Sequence, residues 1–154
     1  MADSILLHGS CLSVGEAGVL LLGPPGSGKS DLALRLIDQP GCGVSDALKP
    51  AKLVADDQVV VKLEAGRLIA SAPPAIAGLI EIRGLGLVNI PHLAQIALAL
   101  AVRLNGHAAI DRAPDMEKTR YELLGRSLPM VLIDPASASA PARIRAAVDW
   151  LERR

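Results

Sequence analysis

Gly23-Pro24-Pro25-Gly26-Ser27-Gly28-Lys29-Ser30 satisfies G-x-x-x-x-G-K-[ST], the spacing of a loop that wraps polyphosphate. The glycines let backbone N–H groups turn toward phosphate oxygens, the Lys29 ammonium neutralises charge on the β and γ groups, and the Ser30 hydroxyl can ligate Mg²⁺. The expected ligands are therefore ATP and Mg²⁺. An ordinary glycine turn would account for the glycines alone; it would not account for Lys-Ser at the start of an amphipathic helix, directly after a short apolar strand.

Such a loop also needs an acid at the end of a neighbouring strand, to hold the metal or activate a nucleophile. Two segments offer one. Leu53-Val54-Ala55-Asp56-Asp57 ends on two carboxylates soon after the loop's helix, and Val131-Leu132-Ile133-Asp134 ends on one. Adjacent carboxylates repel, so both ionise comfortably only beside a cation such as Mg²⁺ or Lys29. The Asp56/Asp57 pair is preferred as the general base, with the choice between the two left open, because a strand sends neighbouring side chains to opposite faces. Asp134, followed by Pro135, reads as a loop residue. A third segment, Leu79-Ile80-Glu81-Ile82-Arg83-Gly84-Leu85-Gly86-Leu87-Val88-Asn89-Ile90, places Glu81 and Arg83 on one face of a strand, and Gly84 and Gly86 then permit a bend. A salt-bridged structural strand would look the same.

These residues need a scaffold, and its elements follow from periodicity. Residues 18–22 form a buried-strand pattern, and 29–38 a helix with Leu32, Ala33, Leu36 and Ile37 on one face. Pro40, Gly41, Gly43 and Pro50 make 39–51 an exposed loop. Four β-like segments follow at 52–55, 58–63, 67–71 and 79–83, too dense for a simple alternating α/β chain, so the sheet is expected to be mixed. Large and small side chains alternate over 96–104, which predicts a strand. Pro114 with Asp115 and Glu117 predicts a helix ended by Gly125; 130–133 is a strand. Pro141 opens a last helix with Ile144, Ala147, Val148 and Leu151 as its apolar stripe and Trp150 packed beside it. The expected fold is α/β: one P-loop domain over 1–154, a mixed β-sheet flanked by helices.

Composition excludes several functions. With 154 residues, 51% hydrophobic and 21% charged, the chain can bury one core and is not a disordered polymer. It has 16 basic and 16 acidic residues, one Tyr, one Trp and no Phe. It thus lacks both the positive field and the stacking platforms of a general nucleic-acid binder. No apolar run approaches the ~18 residues that cross a bilayer, and the first ten residues lack a signal-peptide pattern, so a cytoplasmic protein with no membrane partner is expected. Cys11 and Cys42 cannot supply a zinc site and read as reduced, and His92 and His107 have no second ligand at metal spacing.

Taken in order, these segments resemble the catalytic domain of the HPr kinase/phosphorylase family, bifunctional enzymes that act on a serine of the phosphocarrier HPr. The resemblance runs from about Leu7 to Arg112: His8-Gly9, the loop at Gly23 to Ser30, Leu53 to Asp57, the signature-like Glu81 to Asn89, and more weakly Asp111-Arg112. It implies a fold related to phosphoenolpyruvate carboxykinase and assembly as a homo-hexamer. It also implies roles. Lys29 and Ser30 would hold nucleotide phosphates and Mg²⁺, Glu81 would join the metal site, Asp56/Asp57 would take the serine proton, and His8 and Arg112 would surround the moving phosphoryl group. An HPr-like phosphocarrier is the implied partner.

Departures shape the expectation further. The first motif appears at His8, as in the short single-domain form without the family's separate N-terminal domain. Pro24-Pro25 stands where Asp-Ser is more common. Beyond Leu128 the family's Pro-Val-Arg-x-Gly-Arg-Asn segment, used in phosphorolysis, is replaced by 139–145 with only Arg143 and Arg145, so kinase activity is expected to exceed phosphorylase activity. Two other functions compete: a small-molecule or nucleotide kinase, which would use Arg112, Arg120 and Arg126 as a lid, and a non-catalytic ATP-sensing module. Neither explains the double Asp together with Glu-Ile-Arg-Gly-Leu-Gly.

Overall fold

The computed structural model describes residues 3–106, 110–115 and 117–153. The expected α/β fold with a mixed sheet is what forms. Strands β1 (Ser4–His8), β2 (Ser10–Val14) and β3 (Ala17–Leu22) lead into helix α1 (Lys29–Asp38); β4 (Ala51–Ala55), β5 (Gln58–Glu64) and β6 (Arg67–Ser71) follow. A 3-10 turn at Pro74–Ile76 precedes the hairpin β7 (Leu79–Ile82) and β8 (Gly86–Asn89), then β9 (Gln95–Leu104), β10 (Arg120–Leu123), β11 (Arg126–Ile133) and α2 (Ala140–Glu152).

Nine strands make one sheet, ordered β1-β5-β6-β9-β3-β2-β4, with β11 also beside β9 and β10 on β11. The long strand β9 organises it. Its first half pairs antiparallel with β6, and its second half runs parallel to both β3 and β11. Where β3 joins β9, a Cβ on Gly18 would lie 2.3 Å from the Ala97 carbonyl oxygen, so only glycine lets the strands meet. β2 and β3 are buried on both faces because two cores sandwich them. Leu12, Val19, Leu21, Leu32, Leu36, Ile144 and Val148 form the core under the helices, and Leu20, Val54, Val59, Val61 and Leu98 the core on the other side. Burial pushes the Cys11 thiol well above its usual range, which keeps it inert as a packing residue. Among the described residues no helix is long and apolar enough to cross a membrane.

Several sequence expectations need correction. The helix expected from Pro114 to Gly125 does not form. Lys118 and Thr119 donate to the Asp115 carbonyl for a single turn, and the chain then enters the β10–β11 hairpin. Leu124 (φ 50°) and Gly125 (φ 76°) are its two-residue turn, so Gly125 closes a hairpin rather than a helix. Strands β1, β2, β8 and β10 are additional to those expected. His107 lies outside the described residues.

The stretch 39–51 is irregular as expected, but it is not simply exposed. Arg145 on α2, 2% exposed, donates to the carbonyls of Lys49 (2.9 Å), Leu36 (2.8 Å) and Gln39 (2.9 Å). It thereby caps the carbonyl end of α1, where a cation also opposes the helix dipole. The buried Lys49 ammonium pairs with Asp149, which also accepts the Val44 N–H at 2.8 Å. Gly43 (φ 71°) is required there, since a Cβ would lie 2.5 Å from the Asp149 carboxylate.

This clamp has a pH signature. Burial alone would raise the Asp149 pKa, but hydrogen bonds from Lys49, Val44 and Ser45 and the Lys49 charge outweigh it, so the folded value lies below the ordinary 3.8. A depressed carboxyl contributes stability above its unfolded pKa and loses it as pH falls through the folded value. Asp149→Asn should therefore lower stability at pH 7 by about 3 kcal/mol, because Lys49 is left buried and unpaired. It should also flatten the acid limb of a Tm-against-pH curve below pH 3.8. An acid limb identical to wild type would refute the assignment.

Candidate functional site

The glycine-rich loop of the G-x-x-x-x-G-K-[ST] motif leaves β3 at Leu22 and enters α1 at Lys29. Gly28 takes φ 100° at the helix N-cap and offers no side-chain cap, so the first N–H groups of α1 are left to face an anion. Lys29 folds back under the loop: its Nζ donates to the Gly23 carbonyl (2.7 Å), the Pro24 carbonyl (3.0 Å) and Ser27 Oγ (3.4 Å). Burial lowers the Lys29 pKa, opposed by the negative charges of Asp57 and Asp56. The ammonium thus braces the loop and is attracted to the acids across the cleft.

The two aspartates at the end of β4 part company. Asp56 is buried and accepts from Ser30 Oγ at 2.8 and 3.0 Å, from Ser10 Oγ at 2.8 Å and from the Glu81 N–H at 3.0 Å. Among the described residues it forms no ion pair. Asp57 adopts φ 70°, a left-handed conformation that Asp and Asn tolerate better than most residues, and its side chain is 65% exposed. Its Oδ1 lies 3.6 Å from His8 Nδ1. The pairing of β1 with β5 brings them together, because His8 stands opposite Gln58, and the Gly9 N–H donates to the Asp57 carbonyl at 3.0 Å. The two side chains left equivalent by sequence differ in placement: Asp56 is turned inward on Ser30 and Asp57 outward into the cleft.

That cleft has a volume of about 610 Å³ and is lined by His8, Lys29, Ser30, Asp57, Glu81 and Arg83, with Pro25, Gly26 and Gly28 of the loop and with Leu34 and Ile82 as apolar walls. Glu81 and Arg83 thus share the cleft rather than a structural ion pair; among the described residues no bridge joins them. Past Arg83 the hairpin carries Leu85 in its turn and Leu87 on β8, 76% and 70% exposed. Arg112 is exposed on segment 110–115 and is not among the described residues lining the cleft. Asp134 accepts the Ala136 N–H in a turn, as its loop reading expects. Ser10 escaped the sequence reading because a serine in Ser-Cys-Leu-Ser-Val matches no motif; only the pairing of β2 with β4 brings it to Asp56.

The donor set suits Mg²⁺. The Ser30 hydroxyl and the exposed Glu81 carboxylate both line the cleft, and the ion-pair-free Asp56 carboxylate is hydrogen-bonded behind Ser30. Among the described residues there is no cluster of three or more His, Cys, Asp or Glu that would make a metal cage. Mg²⁺ is commonly held in this way, by one or two protein oxygens completed by water and substrate phosphates.

Comparison with known proteins bears on the family and the fold. A family model described as "HPr Serine kinase C-terminal domain" matches residues 1–144. The HPr kinase/phosphorylase of Clostridium tetani is 36% identical over 106 residues, covering 69% of this chain and 32% of that protein. That of Geobacillus sp. is 35% identical over 130 residues, 81% of this chain and 37% of that protein. The chain spans about a third of the length of these relatives. Among solved structures, the HPr(Ser) kinase/phosphatase from Coxiella burnetii superposes with a TM-score of 0.77 at 27% identity, over 97% of this chain and 91% of that one.

Proposed function

Because the chain belongs to the HPr serine kinase C-terminal domain family, we propose that it transfers the γ-phosphoryl group of ATP to a serine of an HPr-like phosphocarrier. The observation that carries this reading is the division of labour between the two aspartates. Asp56 has both oxygens occupied by donors and does not line the cleft, whereas Asp57 is open to it beside His8 and across from Lys29. An acceptor hydroxyl entering at Asp57 loses its proton to that carboxylate as its oxygen bonds to the γ-phosphorus and the bond to the β-phosphate oxygen breaks. His8 orients the Asp57 carboxylate. Gly23 to Ser30 hold the phosphates, and Lys29 meets their charge. Ser30 and Glu81 would hold Mg²⁺, with Asp56 orienting Ser30 from behind; when bound, the ion neutralises charge on the nucleotide phosphates.

Arg112, assigned by resemblance to the phosphoryl group, would reach it only if segment 110–115 approaches the cleft with substrate. Phosphorolysis is expected to be weak, because Arg145 is spent on capping α1 and Arg143 donates to Ser139, leaving little to hold a second anion. Assembly as a homo-oligomer, a hexamer in the resemblance, and a cytoplasmic location complete the reading. A small-molecule kinase is disfavoured, since Arg120 is tied to Ser127 and Arg126 closes the same hairpin instead of forming a lid.

The test is to incubate the chain with γ-labelled ATP, Mg²⁺ and an HPr-like protein. Label on a protein serine is expected, with Lys29→Ala silent and little pyrophosphate released when phosphorylated carrier meets inorganic phosphate. Label on a small acceptor, or ATP retained unchanged, would sink the proposal.

A further inference from the structure

Asp56 poses an energetic problem that the kinase reading does not by itself solve. A carboxylate 4% exposed, with no ion pair among the described residues, must recover its lost hydration from hydrogen bonds. Three groups supply them. Ser10 Oγ donates to Oδ1 at 2.8 Å, the Glu81 N–H donates to Oδ2 at 3.0 Å, and the Ser30 hydroxyl lies at 2.8 and 3.0 Å from both. Ser30 has one proton and satisfies one oxygen at a time. The groups that hold the carboxylate plane from its two ends are therefore Ser10 and the Glu81 backbone. The second is present whatever side chain follows Ile80. The first depends on one buried hydroxyl, fully enclosed on β2 and absent from the cleft lining.

We propose that Ser10 is a positioning residue: by anchoring Asp56 Oδ1 it makes Asp56 draw the Ser30 proton inward, so that the Ser30 oxygen presents its lone pairs to Mg²⁺ in the cleft. The proposal rests on the kinase reading and deepens it, since Ser10 touches neither nucleotide nor acceptor. The terminal torsion of Asp is broad, so a carboxylate released at Oδ1 is held at one end only, by the Glu81 N–H, and can pivot about that contact. Ser30 then loses its fixed acceptor, and its oxygen no longer holds one orientation. Hydrogen-bond partners one layer behind a metal ligand commonly alter metal affinity 10- to 100-fold when removed. Here the loss should fall on Mg²⁺ and not on the phosphate grip of Lys29 and the loop.

ADP binding measured by calorimetry in EDTA and again in MgCl₂ separates these contributions. Wild type should bind in both, more tightly with Mg²⁺. Ser10→Ala should bind as wild type in EDTA, which shows a folded loop, and lose about tenfold of the gain that Mg²⁺ adds. Ser10→Thr, which restores the hydroxyl, should recover that gain. A gain in Ser10→Ala equal to wild type would overturn the proposal, as would equal losses in EDTA and MgCl₂, the signature of a merely structural serine. A wild-type chain that binds no ADP in either buffer would overturn the kinase reading itself, and this inference with it.

Discussion

Asp57→Asn should lower phosphoryl transfer to the carrier about 10²- to 10⁴-fold, the usual loss on removing a general base. Nucleotide affinity should change far less, because among the described residues Asp57 hydrogen-bonds no residue of the phosphate loop and acts on Lys29 only through its charge across the cleft. Asn is the informative substitution. It tolerates the left-handed backbone at φ 70°, so it removes the base without straining the turn, whereas a β-branched residue would confound the two effects. Asp56→Asn should behave differently. Its amide oxygen can still accept at one end, but the NH₂ at the other leaves either Ser10 or the Glu81 N–H without an acceptor and removes the charge behind Ser30, so Mg²⁺-dependent nucleotide binding should weaken along with turnover. Transfer by Asp57→Asn at the wild-type rate would refute the assignment of the base, and so would equal losses of binding in the two variants.

Arg145→Ala should be the most destabilising single change outside the site, costing about 3–5 kcal/mol. The guanidinium is 2% exposed and serves three carbonyls on three parts of the chain: Leu36 in the last turn of α1, Gln39 at its cap and Lys49 in the loop. Truncation leaves all three short of a donor beside an empty volume. For a domain of this size each kcal/mol moves Tm by about 2–4 °C, so a fall on the order of 10 °C is expected. Arg145→Lys should rescue only part of it, since an ammonium on a flexible stem cannot span the three acceptors as a planar fork does. A melting temperature within about 2 °C of wild type in Arg145→Ala would show that water replaces the guanidinium at little cost. Because α1 carries the phosphate loop at its other end, the variant also asks whether stability and nucleotide binding are coupled through one helix.

Where the chemistry is written locally, it was legible in the sequence. The phosphate loop, the helix over 29–38 and the strand before it depend on residues that are neighbours in the chain, and all three lie where periodicity and glycine spacing put them. The long strand β9 was also readable, because large apolar residues alternate with Ala97, Ala99 and Ala101 from Ile96 to Val102. The helix expected after Pro114 failed for an equally local reason. Proline followed by acidic residues starts a helix or a turn with the same hydrogen bonds, and the competition was won by the β10–β11 hairpin, whose Tyr121 and Leu123 pack on the outer core.

The sequence by itself therefore determined that this chain builds a glycine-rich loop with Lys29-Ser30 between a strand and a helix within a mixed sheet, and that an acidic pair follows it. It could not distinguish Asp56 from Asp57, because what separates them is contact with Ser10 and His8 on other strands, 46 and 49 residues earlier. Nor could it place Arg145 and Asp149, which look like the polar face of an amphipathic helix until Lys49 and the end of α1, about a hundred residues away in sequence, close over them. Propensity and periodicity act between residues a few places apart, where backbone geometry alone sets the neighbours. The partner of a buried charge is set by which strands pair and which helix covers them, and only the folded chain decides that.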